Sequence, residues 1–312
     1  GTDYTYQITN NINAGDAIVT VTGMGNYDAT TTQTENFTIK KREITLTAGS
    51  SSQTYNGQPL TNGTVTVTSG EVASNQTFHA TVAGTITNAG SVDNVITSAT
   101  VTADADGADV TANYIITTQK GTLTITKVTP EVELNKETAA IDFENTVTFD
   151  ATPKSSPAIN GTWQVTSSST AHVTVAEYEN SATDNTAKTF TLEGRSATTE
   201  AVTITVTFTP SDTHNYNIAT KTLTITQVNK INATLPTQII AHSSTYNGQS
   251  HTITVSNDQV GGNIVYSYSL DGGNTWSDWS SIKPERTEAG RTDIKIKVAG
   301  DSNHNDSSEA TS

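Results

Sequence analysis

Val202-Thr203-Ile204-Thr205-Val206-Thr207-Phe208-Thr209 decides the fold class. Apolar residues at 202, 204, 206 and 208 alternate with threonine at 203, 205, 207 and 209, which is the period of a strand with one face buried and one wet. Threonine suits the wet face because its branched Cβ is already restricted in rotamer and loses little on entering a sheet. The same alternation occurs at Leu123 and Ile125 within Thr122–Thr126, and at Ile294, Ile296 and Val298 around Lys295 and Lys297. No window of comparable length reads as an amphipathic helix. The chain is therefore all-β, and its many polar residues belong to outward faces rather than to disorder.

The rest of the composition sets limits. The 312 residues allow two or three domains. With 31 acidic residues against 16 basic ones, the net charge is -15. That balance repels nucleic acid and anionic membrane surfaces, so neither is an expected partner. No apolar run approaches the roughly 20 residues of a membrane helix, so direct membrane insertion is not expected. The absence of cysteine excludes disulfides, cysteine-type zinc clusters and thiol catalysis. No cofactor motif is present, and none is expected.

A closing phrase recurs along the chain. Gly25-Asn26-Tyr27 precedes Phe37-Thr38-Ile39; Ala112-Asn113-Tyr114 precedes Thr122–Thr126; His214-Asn215-Tyr216 precedes Thr222–Thr226; Ser302-Asn303-His304 is a degraded fourth copy. An Ala-Gly corner stands upstream of three of them, at Ala14-Gly15, Ala89-Gly90 and Ala289-Gly290. An opening phrase, Tyr55-Asn56-Gly57, returns as Tyr246-Asn247-Gly248. Asn-Gly predicts a tight hairpin at each site, with a tyrosine beside it.

Tyr55-Asn56-Gly57, Asn113-Tyr114 and Gly121–Thr126 together resemble the MBG repeats of the tyrosine-glycine type, which occur in tandem in large bacterial extracellular proteins. The expected domains are 1–41, the C-terminal part of such a repeat; 42–127, a complete one; and 230–312, one lacking its last strand. Between them, 128–229 keeps the ending but has Phe143–Phe149 where the opening phrase would stand, and it resembles a bacterial immunoglobulin-like β-sandwich. On this reading both ends of the chain fall inside a repeat. The short junctions at 127–130 and 227–231 favour an elongated array of small β-sandwich-like domains. The resemblance implies a non-catalytic stalk or display segment of a secreted bacterial cell-surface adhesin or scaffold, located outside the cell. Its implied partners are neighbouring repeats of a longer chain and a host or environmental glycan or protein.

Candidate sites carry competing readings. Ser269-Leu270-Asp271-Gly272-Gly273-Asn274-Thr275-Trp276 fits the Asp-box pattern, Ser-x-Asp-x-Gly-x-Thr-Trp, found as hairpins in sialidases and other carbohydrate-active proteins. Ser269, Asp271, Gly273 and Trp276 are read as a folding device, since an aspartate in a Gly-rich turn accepts backbone N–H bonds. Around it, Tyr266, Tyr268, Trp276 and Trp279 form either ordinary core or a ligand-binding platform for sugar rings; this is the best binding-site candidate and the basis of an alternative carbohydrate-binding function.

Asp104, Asp106 and Asp109 resemble part of a calcium loop, but the position of its bidentate glutamate falls on Ile115, so a solvated loop is the stronger reading. Asp301, Asn303, Asp306 and Glu309 form a looser group. Glu177 and Glu179, expected on one strand face about 6.5–7 Å apart, are read as solvated rather than catalytic. The six histidines show no ligand spacing. Lys136 is the one lysine placed for an intramolecular isopeptide bond, without a nameable acceptor.

Overall fold

The computed structural model describes residues 3–30 and 32–312. They are almost entirely strand, with a single turn of 3-10 helix at Thr111–Asn113 and no α-helix among the described residues. None of the helical structure is long and apolar enough to cross a membrane. The chain divides into two compact units, Gly1–Val128 with His214–Tyr216, and Thr129–Thr213 with Asn217–Ser312.

The first unit opens with an antiparallel sheet of Tyr4–Thr9, Gly15–Gly23 and Thr32–Ile39. Residues 42–127 then form two facing sheets. One has the order Ser51–Thr54, Gly121–Thr126, Gly90–Ala103, Gln76–Ala83; the other has Val65–Ser69, Arg42–Ala48, Tyr114–Gln119. Two segments cross from sheet to sheet in step. Arg42–Ala48 runs parallel to Tyr114–Gln119, and after the corner Ser51–Thr54 runs parallel to Gly121–Thr126. The corner is tight enough to demand glycine. A Cβ at Gly121 would lie 2.3 Å from the Gly49 carbonyl oxygen and 2.5 Å from that of Ala48. Asn94, fully buried, donates through Nδ2 to the carbonyls of Gly49 and Asn62 at 2.9 and 2.8 Å and so holds the same corner. Ile44, Leu46, Ala48, Ile96, Val101 and Tyr114 fill the space between the sheets.

In the second unit, residues 131–229 form a sandwich of the order Glu131–Leu134, Thr146–Lys154, Lys188–Gly194, Val173–Val175 against Thr138–Asp142, Ala219–Asn229, Val202–Pro210, Asn160–Ser167, Ser181–Thr183. The alternation at 202–208 has the predicted sense, with Val202, Ile204, Val206 and Phe208 all buried. An aromatic group closes this core. Phe149 stacks on Phe190 at 5.4 Å, and Trp163 meets Phe190 and Phe208 at 6.0 and 5.3 Å. The last residues build a smaller core of Ile253, Tyr266, Ile294 and Ile296 behind the pair Gly262–Ser269 and Asp293–Gly300.

Three expectations change. Neither Asn-Gly site is a tight hairpin: around the first, Ser51–Thr54 and Val65–Ser69 belong to different sheets, around the second, Ile239–Ile240 and Thr254–Val255 pair antiparallel only across a long loop, and of each Asn-Gly pair only the glycine, Gly57 or Gly248, takes positive φ. Asn56 and Asn247 instead close local turns, accepting the N–H of Gln58 and Gln249 at 2.9 Å. The last domain does carry a strand after His304, since Ala310–Thr311 pairs antiparallel with Lys295 and Ile296; this short Ala-Thr run satisfies the edge that the sequence left open. The third concerns Glu177 and Glu179. The strand ends at Val175, so both are exposed loop residues rather than neighbours on a strand face.

Candidate functional site

The repeated phrases meet each other. Asn113, from one closing phrase, accepts the backbone N–H of Ala14 at the Ala-Gly corner at 2.8 Å, while its own Nδ2 donates to Asn13 Oδ1 at 3.0 Å. Asn215 does the same at the next corner, accepting from Ala89 N–H at 2.7 Å and donating to Asn88 Oδ1 at 3.2 Å. Asn303 accepts from Ala197 N–H at 2.9 Å and from Ser196 Oγ at 3.1 Å. An asparagine side chain suits this task because one amide offers acceptor and donor side by side. Each clasp joins residues about a hundred positions apart and satisfies a corner N–H that no strand ladder reaches.

Two clasps carry an aromatic lock beside them. Tyr216, next to Asn215, stands edge-on to Tyr55 of the opening phrase, with centroids 5.4 Å apart and planes at 78°. His304, next to Asn303, meets Phe143 in the same manner at 5.3 Å and 83°. Such edge-to-face pairs contribute about 0.5–1.5 kcal/mol beyond area burial. Phe143 thus occupies the role of the opening tyrosine in the domain that lacks one, and its backbone confirms it. Tyr55 N–H donates to Thr126 O, and Phe143 N–H to Asn229 O, each at 2.9 Å. For the clasps at Ala14 and Ala89 both halves were visible as repeated phrases in the sequence, whereas the third corner, Ser196-Ala197, lies outside the Ala-Gly phrases; the meeting of the halves was not visible, because the corner and the asparagine belong to different repeats.

The aromatic group around the Asp-box does not assemble as a platform. Tyr266 pairs with Ile296 and Tyr268 with Ile294, so both tyrosines project to the core face, and Tyr266 is only 8% exposed. Tyr268, at the rim of that face, is 41% exposed. Lys295 and Lys297 pair with Ser267 and Val265 on the opposite face, where their ammonium groups cover Trp276 and Trp279 at 4.6 and 4.8 Å from the ring centroids. The two tyrosines and two tryptophans therefore lie on opposite faces of one sheet. Cation–π contacts occupy the tryptophan rings that a sugar would use.

The Asp-box itself is a closed turn. Asp271 Oδ1 accepts from Ser269 Oγ at 2.7 Å, Asn274 N–H at 3.0 Å and Thr275 N–H at 2.9 Å, and its Oδ2 accepts from Thr275 Oγ1 at 2.6 Å. These bonds to the ionised form, led by those from Thr275, hold the carboxyl well below the usual carboxylate range. Ser269 Oγ also accepts Gly273 N–H at 2.8 Å, and Trp276 Nε1 donates to Gly273 O at 3.1 Å.

The acidic candidates are also engaged singly. Asp104 accepts from Thr77 Oγ1, Asp106 from Ala108 N–H and Asp109 from Thr111 N–H, at 2.7, 3.0 and 2.9 Å. Among Asp301, Asp306 and Glu309, the partners are His304, Lys297 and Lys295 respectively. Among the described residues no group of three acidic or histidine side chains converges as a metal site. Lys136 is only half-buried, short of the desolvation that makes a lysine nucleophilic.

No protein-family model matches the chain, and no curated protein matches it. Among solved structures, it is similar to domains 4 and 5 of the S-layer protein SbsC, with 16% identity over 55% of this chain and 87% of that one and a TM-score of 0.26. The D00-D0 domain of intimin matches at 11% identity over 58% and 98% of the two chains, with a TM-score of 0.25. The adhesin InvE of Yersinia pseudotuberculosis matches at 11% identity over 76% and 66%, with a TM-score of 0.24. The chain spans 45% of the length of the longer SbsC structures it matches. Likeness of this depth assigns neither family nor activity.

Proposed function

We propose that this chain is a non-catalytic display segment of a secreted bacterial cell-surface protein, built from serial MBG-like and immunoglobulin-like repeats divided at 41/42, 127/128 and 229/230. The observation that carries the reading is the asparagine clasp, made three times, each time with an asparagine Oδ1 accepting the N–H of a corner alanine. A chain that spends its recurring residues on tying one repeat to the next is suited to holding something in place. Its conspicuous polar groups support the same reading, because Asp109 and Asp271 each satisfy a local turn and Asp104 accepts from Thr77 on the neighbouring strand, rather than converging on a cleft.

The location is tested by labelling intact source cells with an antibody raised against the folded chain. Staining without permeabilisation is expected; staining only after permeabilisation overturns the reading. A glycan array separates display from carbohydrate binding. With Trp276 and Trp279 covered by lysines, the array is expected to stay silent. Glycan binding that is lost in both Trp276→Ala and Trp279→Ala would restore the platform.

A further inference from the structure

The opening phrase occurs twice in identical form, as Thr54-Tyr55-Asn56-Gly57-Gln58 and as Thr245-Tyr246-Asn247-Gly248-Gln249. The two copies fold alike. Each asparagine accepts, through Oδ1, the N–H of the glutamine two residues on at 2.9 Å, and the glycine between them takes a φ of 77° or 73°. Two residues beyond each glutamine the chain is held in an isolated antiparallel bridge, Leu60 with Ile86 in one copy and His251 with Arg286 in the other. Backbone bonds run both ways across each bridge, at 2.8 and 3.2 Å for Leu60 and at 3.0 and 2.9 Å for His251. One position in the fold therefore carries an isobutyl group in the first copy and an imidazole in the second.

The imidazole is aimed at the asparagine. His251 Nε2 lies 2.9 Å from Asn247 Oδ1, and because that oxygen only accepts, the ring carries a proton on Nε2 and donates it. The ring is steadied by stacking on His242, with centroids 4.7 Å apart and planes at 13°. Asn247 Oδ1 thus receives two hydrogen bonds, from Gln249 and His251, where Asn56 Oδ1 receives the one from Gln58. The adjoining Gly248 N–H makes no hydrogen bond among the described residues, and no Cβ crowds its nitrogen. The chain has two further Asn-Gly pairs, and both are restrained. Asn62 Nδ2 donates to Ser50 O at 3.1 Å and to Ser51 Oγ at 2.9 Å, while Gly161 is paired on both flanks within a sheet, to Pro210 and to Ala182.

We propose that Asn247-Gly248 is a site of intramolecular deamidation in which His251 is a catalytic residue. The Gly248 nitrogen bonds to Asn247 Cγ and gives its proton to water, and the carbonyl electron pair moves onto Oδ1, where Gln249 N–H and His251 Nε2–H hold the new negative charge. When that pair returns, the Cγ–Nδ2 bond breaks and Nδ2 leaves as ammonia with a proton taken from water. A water molecule then opens the cyclic imide at either carbonyl and leaves aspartate or isoaspartate. Water is consumed and ammonia released, with no oxidant or other reactant. Donors aimed at the oxygen on which charge develops lower the barrier because their bonds strengthen as the charge grows. Asn247 is exposed, so the gain from His251 is about tenfold, below the roughly 10²–10³ of a buried oxyanion donor. The chemistry rests on the turn and the bridge, not on the cell-surface reading, so either can fail alone.

The identical phrases supply the control. The full chain is incubated near neutral pH in water enriched in heavy oxygen and digested, and each Asn-Gly peptide is followed by mass spectrometry, with isoaspartate separated from aspartate by chromatography. Asn247 is expected to convert about tenfold faster than Asn56, and both ahead of Asn62 and Asn160. In denaturant the two opening phrases are expected to convert at one rate, since their residues are the same from threonine to glutamine. His251→Leu is expected to bring Asn247 down to the rate of Asn56, and Leu60→His to raise Asn56 about tenfold, with circular dichroism unchanged in both. Equal rates at Asn247 and Asn56 in the folded chain overturn the proposal. So do a difference that survives denaturation, which would place its cause in the local sequence, and an Asn247 rate indifferent to His251→Leu.

Discussion

Replacing Asn215 with alanine tests the clasp at Ala89. Asn215 is 5% exposed, and the substitution removes the 2.7 Å bond from Ala89 N–H and the 3.2 Å bond to Asn88. A net hydrogen bond contributes about 0.5–1.5 kcal/mol, and leaving a buried donor unpaired costs about 1–3 kcal/mol. The corner stays partly accessible to water, so a loss of about 2 kcal/mol in local opening is expected, equivalent to roughly thirtyfold. Native-state amide exchange reads it directly, since the Ala89 amide is expected to exchange about thirtyfold faster in the variant under conditions where opening is pre-equilibrated. Asn113→Ala is the internal control. It is expected to release the Ala14 amide and leave Ala89 untouched, with a smaller effect because Asn113 is more exposed. An Ala89 amide that exchanges at the native rate in Asn215→Ala would refute the reasoning, because the corner would then be closed by its own backbone.

Phe190→Ala, at a fully buried ring touching Phe149, Trp163 and Tyr178, is expected to lower the stability of its sandwich by about 3–5 kcal/mol in denaturant titration. Gly121→Ala is expected to destabilise residues 42–127 through backbone clash at the crossover, detectable as a lower midpoint while Gly107→Ala, in open space, disturbs only its own turn. Asp258 has its carboxyl held down to about 2 by hydrogen bonds from Ser256 and Thr237. Its stabilising contribution is therefore complete above its unfolded value near 3.8 and is lost as pH falls through about 2. A carboxyl NMR titration placing its midpoint at 3.8 or higher would contradict the turn geometry.

Residues whose fate depends on sequence neighbours were the legible ones. The strand at 202–208, the strand at 294–298 and the Asp-box turn follow from alternation and from turn chemistry over a few positions. The tryptophan–tyrosine grouping misled for a related reason. Spacing placed Tyr266 and Tyr268 on one strand face, yet the hairpin return carried Trp276 and Trp279 to the other, and only pairing register reveals that. Asn94 and the three clasps left no local signal that could be weighed. A buried asparagine looks the same in sequence as one in a loop, and its partners lie 32 to 126 residues away. The recurrence of Asn beside an aromatic, together with an Ala-Gly corner one repeat earlier in two of the three clasps, was the available clue.

The paired crossover also sets the order in which such a chain becomes mature. Arg42–Ala48 finds its parallel neighbour only at Tyr114–Gln119, so a repeat cannot finish its sheets until its final strands have emerged during synthesis. Even then the corner at Ala89 stays open until Asn215 arrives from the next repeat. Maturation therefore trails emergence by one repeat. At any moment during synthesis the newest finished domain exposes an unsealed corner, and the chain closes behind itself in sequence, from N-terminus to C-terminus.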